Sequence, residues 1–204
     1  MKNAFTLYMQ AASNSMEDKS GELLLYELCD DLVALAKAEN HEAFDRLVAL
    51  HQERVYALAY RILENADDAA DVQQETFIRA WQSIRRFRQD AAFSTWLHKI
   101  TVNLCISKKR RKQLDCVNID DETIGSIPAP SQEEPEAVAA LKKVLASMPV
   151  HYRVLIVLRD LEERPFEEIA QVLGCSVESA RVRVCKARKL LRDKMRPYLA
   201  EEDI

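Results

Sequence analysis

The stretch from Pro165 to Arg192, PFEEIAQVLGCSVESARVRVCKARKLLR, constrains the fold of this chain more than any other part of it. Phe166, Ile169, Ala170 and Leu173 fall at i, i+3, i+4 and i+7, which makes one apolar face of a short helix. Gly174 permits the left-handed backbone of a tight turn, and Ser176 stands where it can cap the next helix. Glu178 follows Ser176 by only two residues, so the capping-box spacing is not met and the cap alone carries the start. In the second helix Val177, Ala180, Val184, Ala187 and Leu191 form the buried stripe, and the small Ala180 lets two helices approach closely. The pattern predicts a helix-turn-helix, the motif that lays its second helix in the DNA major groove.

Steps of about 100° per residue place the opposite face of that second helix. Glu178, Ser179, Val182, Cys185, Lys186 and Lys189 point away from the stripe, with Arg181, Arg183 and Arg188 flanking it. Central side chains would reach base edges, while flanking arginines would hold phosphates and set register. Between Arg181 and Arg196 stand eight Lys/Arg against the single acid Asp193. A solvated basic helix on a bundle is the alternative, but the glycine turn and the two matched apolar faces favour DNA binding.

The whole chain carries a net charge of −4, so a nucleic-acid role requires that charge be segregated. It is. Arg85 to Lys112 holds nine Lys/Arg against Asp90, whereas Asp115 to Glu136 holds seven carboxylates and no Lys or Arg. Two basic blocks separated by an acidic connector imply two nucleic-acid contacts joined by a segment that DNA repels. Glycine is scarce (3 of 204) and periodic stretches are long, so the expected class is all-α. No apolar run has the length of a membrane span, and the N-terminus lacks an export-type apolar core, which predicts a cytoplasmic protein with no membrane insertion.

The five cysteines, Cys29, Cys105, Cys116, Cys175 and Cys185, form neither C-x-x-C pairs nor a zinc-spaced cluster with histidine. No metal and no cofactor is therefore expected, and the thiols read as reduced: Cys105 and Cys175 as small core residues, Cys185 on the groove face. The four histidines (His41, His51, His98, His151) fall into no recognisable catalytic arrangement with a cysteine and a carboxylate. With no phosphate-cradling glycine loop either, an enzyme is not expected.

Along the chain, residues 1–21 are weakly patterned and read as a mobile extension. Residues 22–37 predict an amphipathic helix offering Leu24, Leu28, Leu32 and Leu35 for packing. A longer helix is predicted over His41–Leu63, then a third capped by Asp67 or Asp68 and ending near Ser83, then a basic loop. A fourth runs from Ser94 to about Lys112. Residues 113–135 contain Gly125, Pro128, Pro130 and Pro135 among acids, the composition of an extended linker. Helical periodicity returns for residues 136–204. The expected architecture is two helical domains, over 22–112 and 136–204, joined by an acidic linker.

Within the first domain, Asp68, Asp71, Gln74 and Glu75 make a polar stripe beside Val72, Phe77 and Ile78. Phe87-Arg88, then Phe93-Ser94-Thr95-Trp96-Leu97, then KITVNLCISKKRRK interleave aromatics with a basic helix, as single-stranded DNA binding needs. Phe93 and Trp96 fit a packed core equally well.

The run DAADVQQETFIRAW, the run FSTWLHKITVN with its basic tail, the proline-bearing acidic linker and the terminal helix-turn-helix, in that order, resemble a bacterial sigma factor. The likeness is to the extracytoplasmic-function group of the sigma-70 family, which keeps only the sigma-2 and sigma-4 domains, and it covers about residues 40–195. It implies a monomer when free that binds RNA polymerase core, promoter DNA and an anti-sigma factor. Asp68, Asp71, Gln74, Glu75 and Phe77 match the helix docked on the β′ clamp helices, and sigma-4 would meet the β flap. Phe87, Arg88, Phe93, Ser94 and Trp96 match the loop that receives a flipped base of the −10 element, with Asn103 beside it. Lys108, Lys109, Arg110, Arg111 and Lys112 would hold upstream duplex phosphates. Ser176, Ser179, Arg181, Val182, Arg183, Cys185, Lys186 and Lys189 match the −35-reading face. The linker would thread the polymerase's RNA path. A self-sufficient helix-turn-helix repressor would need a dimerisation element, and no clear one is present.

Overall fold

The computed structural model describes residues 29–117 and 136–199, and every described element is helical. The extension over 1–21 and most of the 113–135 linker lie outside the described residues. In chain order the elements are α1 (29–37), α2 (His41–Leu63), α3 (Ala66–Ser83), a 3-10 turn (Ile84–Arg86), α4 (Phe93–Val117), α5 (Glu136–Ser147), α6 (Val150–Ile156), a π turn (Val157–Leu161), α7 (Phe166–Leu173) and α8 (Val177–Leu199). The all-α, two-domain expectation holds: α1–α4 form the first domain and α5–α8 the second.

Helix boundaries follow local chemistry. Asn40 starts α2 by accepting from Ala43 N at 3.0 Å, and Asn65 starts α3 by accepting from Asp68 N at 2.8 Å. The cap of α3 is thus Asn65; Asp67 and Asp68 lie inside the first turn, where carboxylates suit the positive end of the helix dipole. Between these helices Glu64 takes the left-handed conformation (φ 54°) and returns its N–H to Tyr60 O at 2.7 Å. Helix α4 continues to Val117, five residues past the predicted end, since the first strong breaker beyond Lys112 is Gly125.

The three long helices of the first domain close around Leu47, Val55, Phe77, Ala80, Ile84 and Leu97, and α1 adds Leu32, Val33 and Ala36. Of the predicted stripe, Leu24 and Leu28 lie outside the described residues, Leu32 packs, and Leu35 faces outward at 49% exposure. Where α3 meets α4, Thr76 and Thr101 are fully buried. Each hydroxyl donates to its own helix, to Val72 O at 2.7 Å and Leu97 O at 2.9 Å, so close packing leaves no orphaned donor.

In the second domain Gly174 ends α7 with φ +62°, and the N–H groups of Gly174 and Cys175 close back on Gln171 O and Ala170 O. This is a Schellman-type ending. Ser176 then accepts from Ser179 N at 3.2 Å, as the cap expectation required. Ile169, Ala180, Val184 and Ala187 are buried together, joined by Val172, which the periodicity had not singled out. This core is continuous with Leu58, Ile62, Leu63, Val102 and Cys105 of the first domain, so one apolar cluster runs through both.

Candidate polymerase and nucleic-acid interfaces

The second-domain surface is what the helix-turn-helix spacing predicts. Arg181, Val182, Arg183, Cys185, Lys186 and Lys189 are exposed on one side of α8, while Ala180, Val184 and Ala187 are buried on the other. Ser176 is exposed at the turn and Ser179 is half-buried beside it. Val182 is 54% exposed, an apolar side chain with no core to serve and suited to a thymine methyl. Arg188 departs from the expectation of a phosphate holder. It forks onto the buried Asp160 carboxylate, with Nε at 3.0 Å from Oδ1 and 3.2 Å from Oδ2, and this hydrogen bonding raises its pKa. Arg188 fastens α8 to the π turn.

The predicted polymerase-binding residues divide into two groups. Asp71 and Gln74 are exposed, and Glu75 is half-buried against Arg79 at 2.7 Å. Phe77 is a core residue, and Asp68 is 7% exposed. Asp68 meets Lys112 Nζ at 2.5 Å and Lys108 Nζ at 3.3 Å, and Lys108 also reaches Asp71 at 2.7 Å. Burial is the largest single influence on the Asp68 carboxyl and raises its pKa, but the two lysines together outweigh it and the net direction is down. Two of the predicted phosphate-holding lysines are thus folded onto α3, and Lys109 is half-buried, its pKa lowered by burial and by Arg153. Arg110 and Arg111 remain exposed. Pairs between residues 37 or more positions apart leave no periodic trace in a sequence. Ile78, one of the apolar residues beside the predicted polar stripe, is 52% exposed and faces outward one turn from Gln74.

In the predicted melting segment, Phe87 and Phe93 are buried at 6% and 4% exposure. They pack with Trp96: Phe87 stacks on it at 4.9 Å between centroids, and Phe93 lies at 5.6 Å. Trp96 and Ser94 are half-buried, while Arg88 and Asn103 are exposed. The segment therefore presents one aromatic edge backed by two buried rings, with Arg88 and Lys99 beside it. A cavity of about 410 Å³ opens there, and Gln171 of α7 forms part of its wall.

Among the described residues no cluster of His, Cys, Asp and Glu is arranged to hold a metal ion, and no helix is long and apolar enough to cross a membrane. Cys105 is buried, its thiol pushed up to about 12 by burial, while Cys175 is half-buried and Cys185 exposed.

Comparison with known families gives two matches in the order of the two domains. Sigma-70 region 2 matches residues 47–114, and Sigma-70, region 4 matches residues 139–191. The chain belongs to the sigma-70 family. Within it, several relatives are ECF (extracytoplasmic-function) factors. The ECF RNA polymerase sigma factor SigE of Mycolicibacterium smegmatis is 36% identical over 166 residues, 78% of this chain and 64% of that protein. SigW of Bacillus subtilis is 30% identical over 174 residues, 78% of this chain and 92% of that one. The solved structure of CnrH in complex with the cytosolic domain of CnrY superposes with a TM-score of 0.60 at 26% identity, covering 87% of this chain and 99% of that one. As a sigma factor the chain binds RNA polymerase core and directs it to promoters, and it is an initiation factor and not an enzyme. Region 2 covers the aromatic and basic surfaces of α3 and α4, and region 4 covers the helix-turn-helix.

Proposed function

We propose that the exposed part of α3 (Asp71, Gln74, Glu75 and Ile78) docks on polymerase, that the α4 segment captures an unstacked −10 base, and that α8 reads the −35 element. In this reading Asp68 and Phe77 support the docking helix from beneath. Phe87 and Phe93 buttress Trp96 and Arg88, which with Ser94 and Asn103 meet the extruded base. Extruding a base costs a few kcal/mol, which a pocket and a stacking surface offset, so melting becomes sequence-selective. Lys109, Arg110 and Arg111 hold the neighbouring duplex, and Lys108 and Lys112 steady them through Asp68.

The observation that carries the reading is the face of α8, where Arg181, Arg183, Lys186, Lys189 and Cys185 surround the outward Val182 while Ala180, Val184 and Ala187 opposite are buried. Promoter footprinting with purified core tests it. Arg181→Ala together with Lys186→Ala is expected to erase −35 protection while the complex with core persists. Unchanged −35 protection in that double variant would refute the assignment of α8.

Regulation by an anti-sigma factor extends the same proposal, supported by the likeness to CnrH, a factor solved with a partner's cytosolic domain. We place the chain in the cytoplasm, where promoters are, and expect a stress-type regulon. Co-purification of a tagged full chain from its native cell before and after stress tests this, with a partner present before and absent after as the supporting result.

A further inference from the structure

Arg181 and Arg188 of α8 are each met by a different kind of partner, and both partners trace back to the π turn before α7. Asp160 of that turn takes the Arg188 guanidinium. Its neighbour Arg159 meets no carboxylate among the described residues. Arg159 is half-buried, donates from Nη1 to Arg164 O at 2.7 Å, and holds its guanidinium carbon over the Phe166 ring, 4.6 Å from the centroid. Between them Glu163 takes the left-handed conformation (φ 52°) and Arg164 N returns to Leu158 O at 3.0 Å. The chain thus doubles back and lays Phe166, the first residue of α7, beside Arg159. The same ring receives Arg181, whose guanidinium carbon lies over it at 5.5 Å from the centroid. Both cations stand within the range over which an aromatic face attracts them.

The contacts to Arg188 and Arg181 differ in what they consume. The Asp160 carboxylate occupies N–H groups of Arg188, with Nε at 3.0 Å from Oδ1. A ring face restrains a guanidinium without accepting its in-plane N–H groups. Arg181 is exposed and makes no hydrogen bond or ion pair among the described residues, so its fork of donors is left for a ligand. An exposed arginine without such a support must give up its rotamer freedom when it grips DNA. Phe166 belongs to the predicted apolar face of α7, yet it is half-buried where Ile169 and Ala170 are buried. Part of its ring therefore serves cations instead of the core. The repulsion between the two guanidinium groups is weakened by water at Arg181 and relieved by the negative charge of a duplex.

We propose that Phe166 is a positioning residue for −35 recognition: its ring, steadied by Arg159, holds the Arg181 guanidinium in place before DNA arrives. The role rests on the proposed reading of α8 as the −35 helix. A double-mutant cycle on the holoenzyme of core and full chain, titrated with a labelled promoter duplex, tests it. Phe166→Leu and Phe166→Met keep an apolar side chain and remove the ring face, and circular dichroism shows which of them keeps the native helix content. Each is expected to weaken binding about threefold to fivefold. Phe166→Tyr keeps the ring and is expected to bind at least as tightly as the wild type. In an Arg181→Ala background the Leu and Met changes are expected to cost nothing further, and a fork carrying only the −10 half is expected to bind all variants alike. Wild-type affinity without the ring, equal losses with and without Arg181, or a loss on the −10 fork as well would overturn the positioning role and leave the −35 reading of α8 intact. Wild-type affinity of Arg181→Ala itself would instead overturn that reading, and the role of Phe166 with it.

Discussion

Arg188 and Arg181 stand two helical turns apart on α8, yet their surroundings give them different work. Arg181 is exposed, with its guanidinium 5.5 Å from the Phe166 ring, whereas Arg188 forks onto a carboxylate that is 8% exposed. Asp160→Ala is accordingly expected to destabilise the chain by about 1–2 kcal/mol, a charged hydrogen bond discounted for a half-exposed partner. Urea titration followed by circular dichroism measures it, and a change near zero would mean the pair is incidental. Gly174→Ala tests the turn. A Cβ there meets no atom within 4 Å, so the expected loss of roughly 1–2 kcal/mol comes only from the left-handed backbone. The glycine turn and its Ser176 cap were legible because each depends on neighbours within four residues. Arg188, Lys108 and Lys112 were not, since each charge is spent on a carboxylate supplied by another helix.

At the scale of elements, α3 separates binding from stability. Ile78→Glu alters an outward side chain and is expected to weaken core binding by about tenfold or more with stability within about 0.5 kcal/mol. Phe77→Ala removes a buried ring and is expected to cost about 3–5 kcal/mol. Thermal melts and titration of labelled core distinguish the two, and the opposite pattern would place the docking face elsewhere on α3. The polar stripe of this helix was readable from its spacing, but its division was not: a 100° step per residue places Asp68 and Asp71 on nearly the same side. Only the approach of α4 buries the first and leaves the second exposed. Helix α6 presents the same difficulty. Arg153 lies in an apolar run where a sequence reading expects its head to reach water, and the carbonyl ends of α2 and α5 take water's place.

Across the whole molecule, burial sets the response to acid. His51 is held neutral by burial and by Arg54, with its pKa down at about 4; His98 is held neutral by burial and then by Arg164, at about 3. Unfolded histidines titrate near 6.5, so between about pH 6.5 and 4 the unfolded chain binds more protons than the native one. Stability is complete above that window and falls with acidity by up to roughly 1.4 kcal/mol per pH unit for each histidine. Replacing both residues with Gln is expected to flatten the profile in denaturant titrations from pH 7 to 4.5; an unchanged slope would assign it to other groups. The two-domain plan was legible because the acidic, proline-bearing stretch divides two periodic halves of the sequence. The packing of one half on the other was not, since the continuous core and Arg153 join residues far apart in the chain. The central claim is that this chain confers promoter choice on polymerase, and run-off transcription with purified core on a promoter library tests it most directly. Core with the full chain is predicted to initiate at a small set of sites sharing −35 and −10 elements, while the chain alone binds those duplexes weakly. No initiation at any promoter, or equally tight sequence-specific binding without core, would contradict the account.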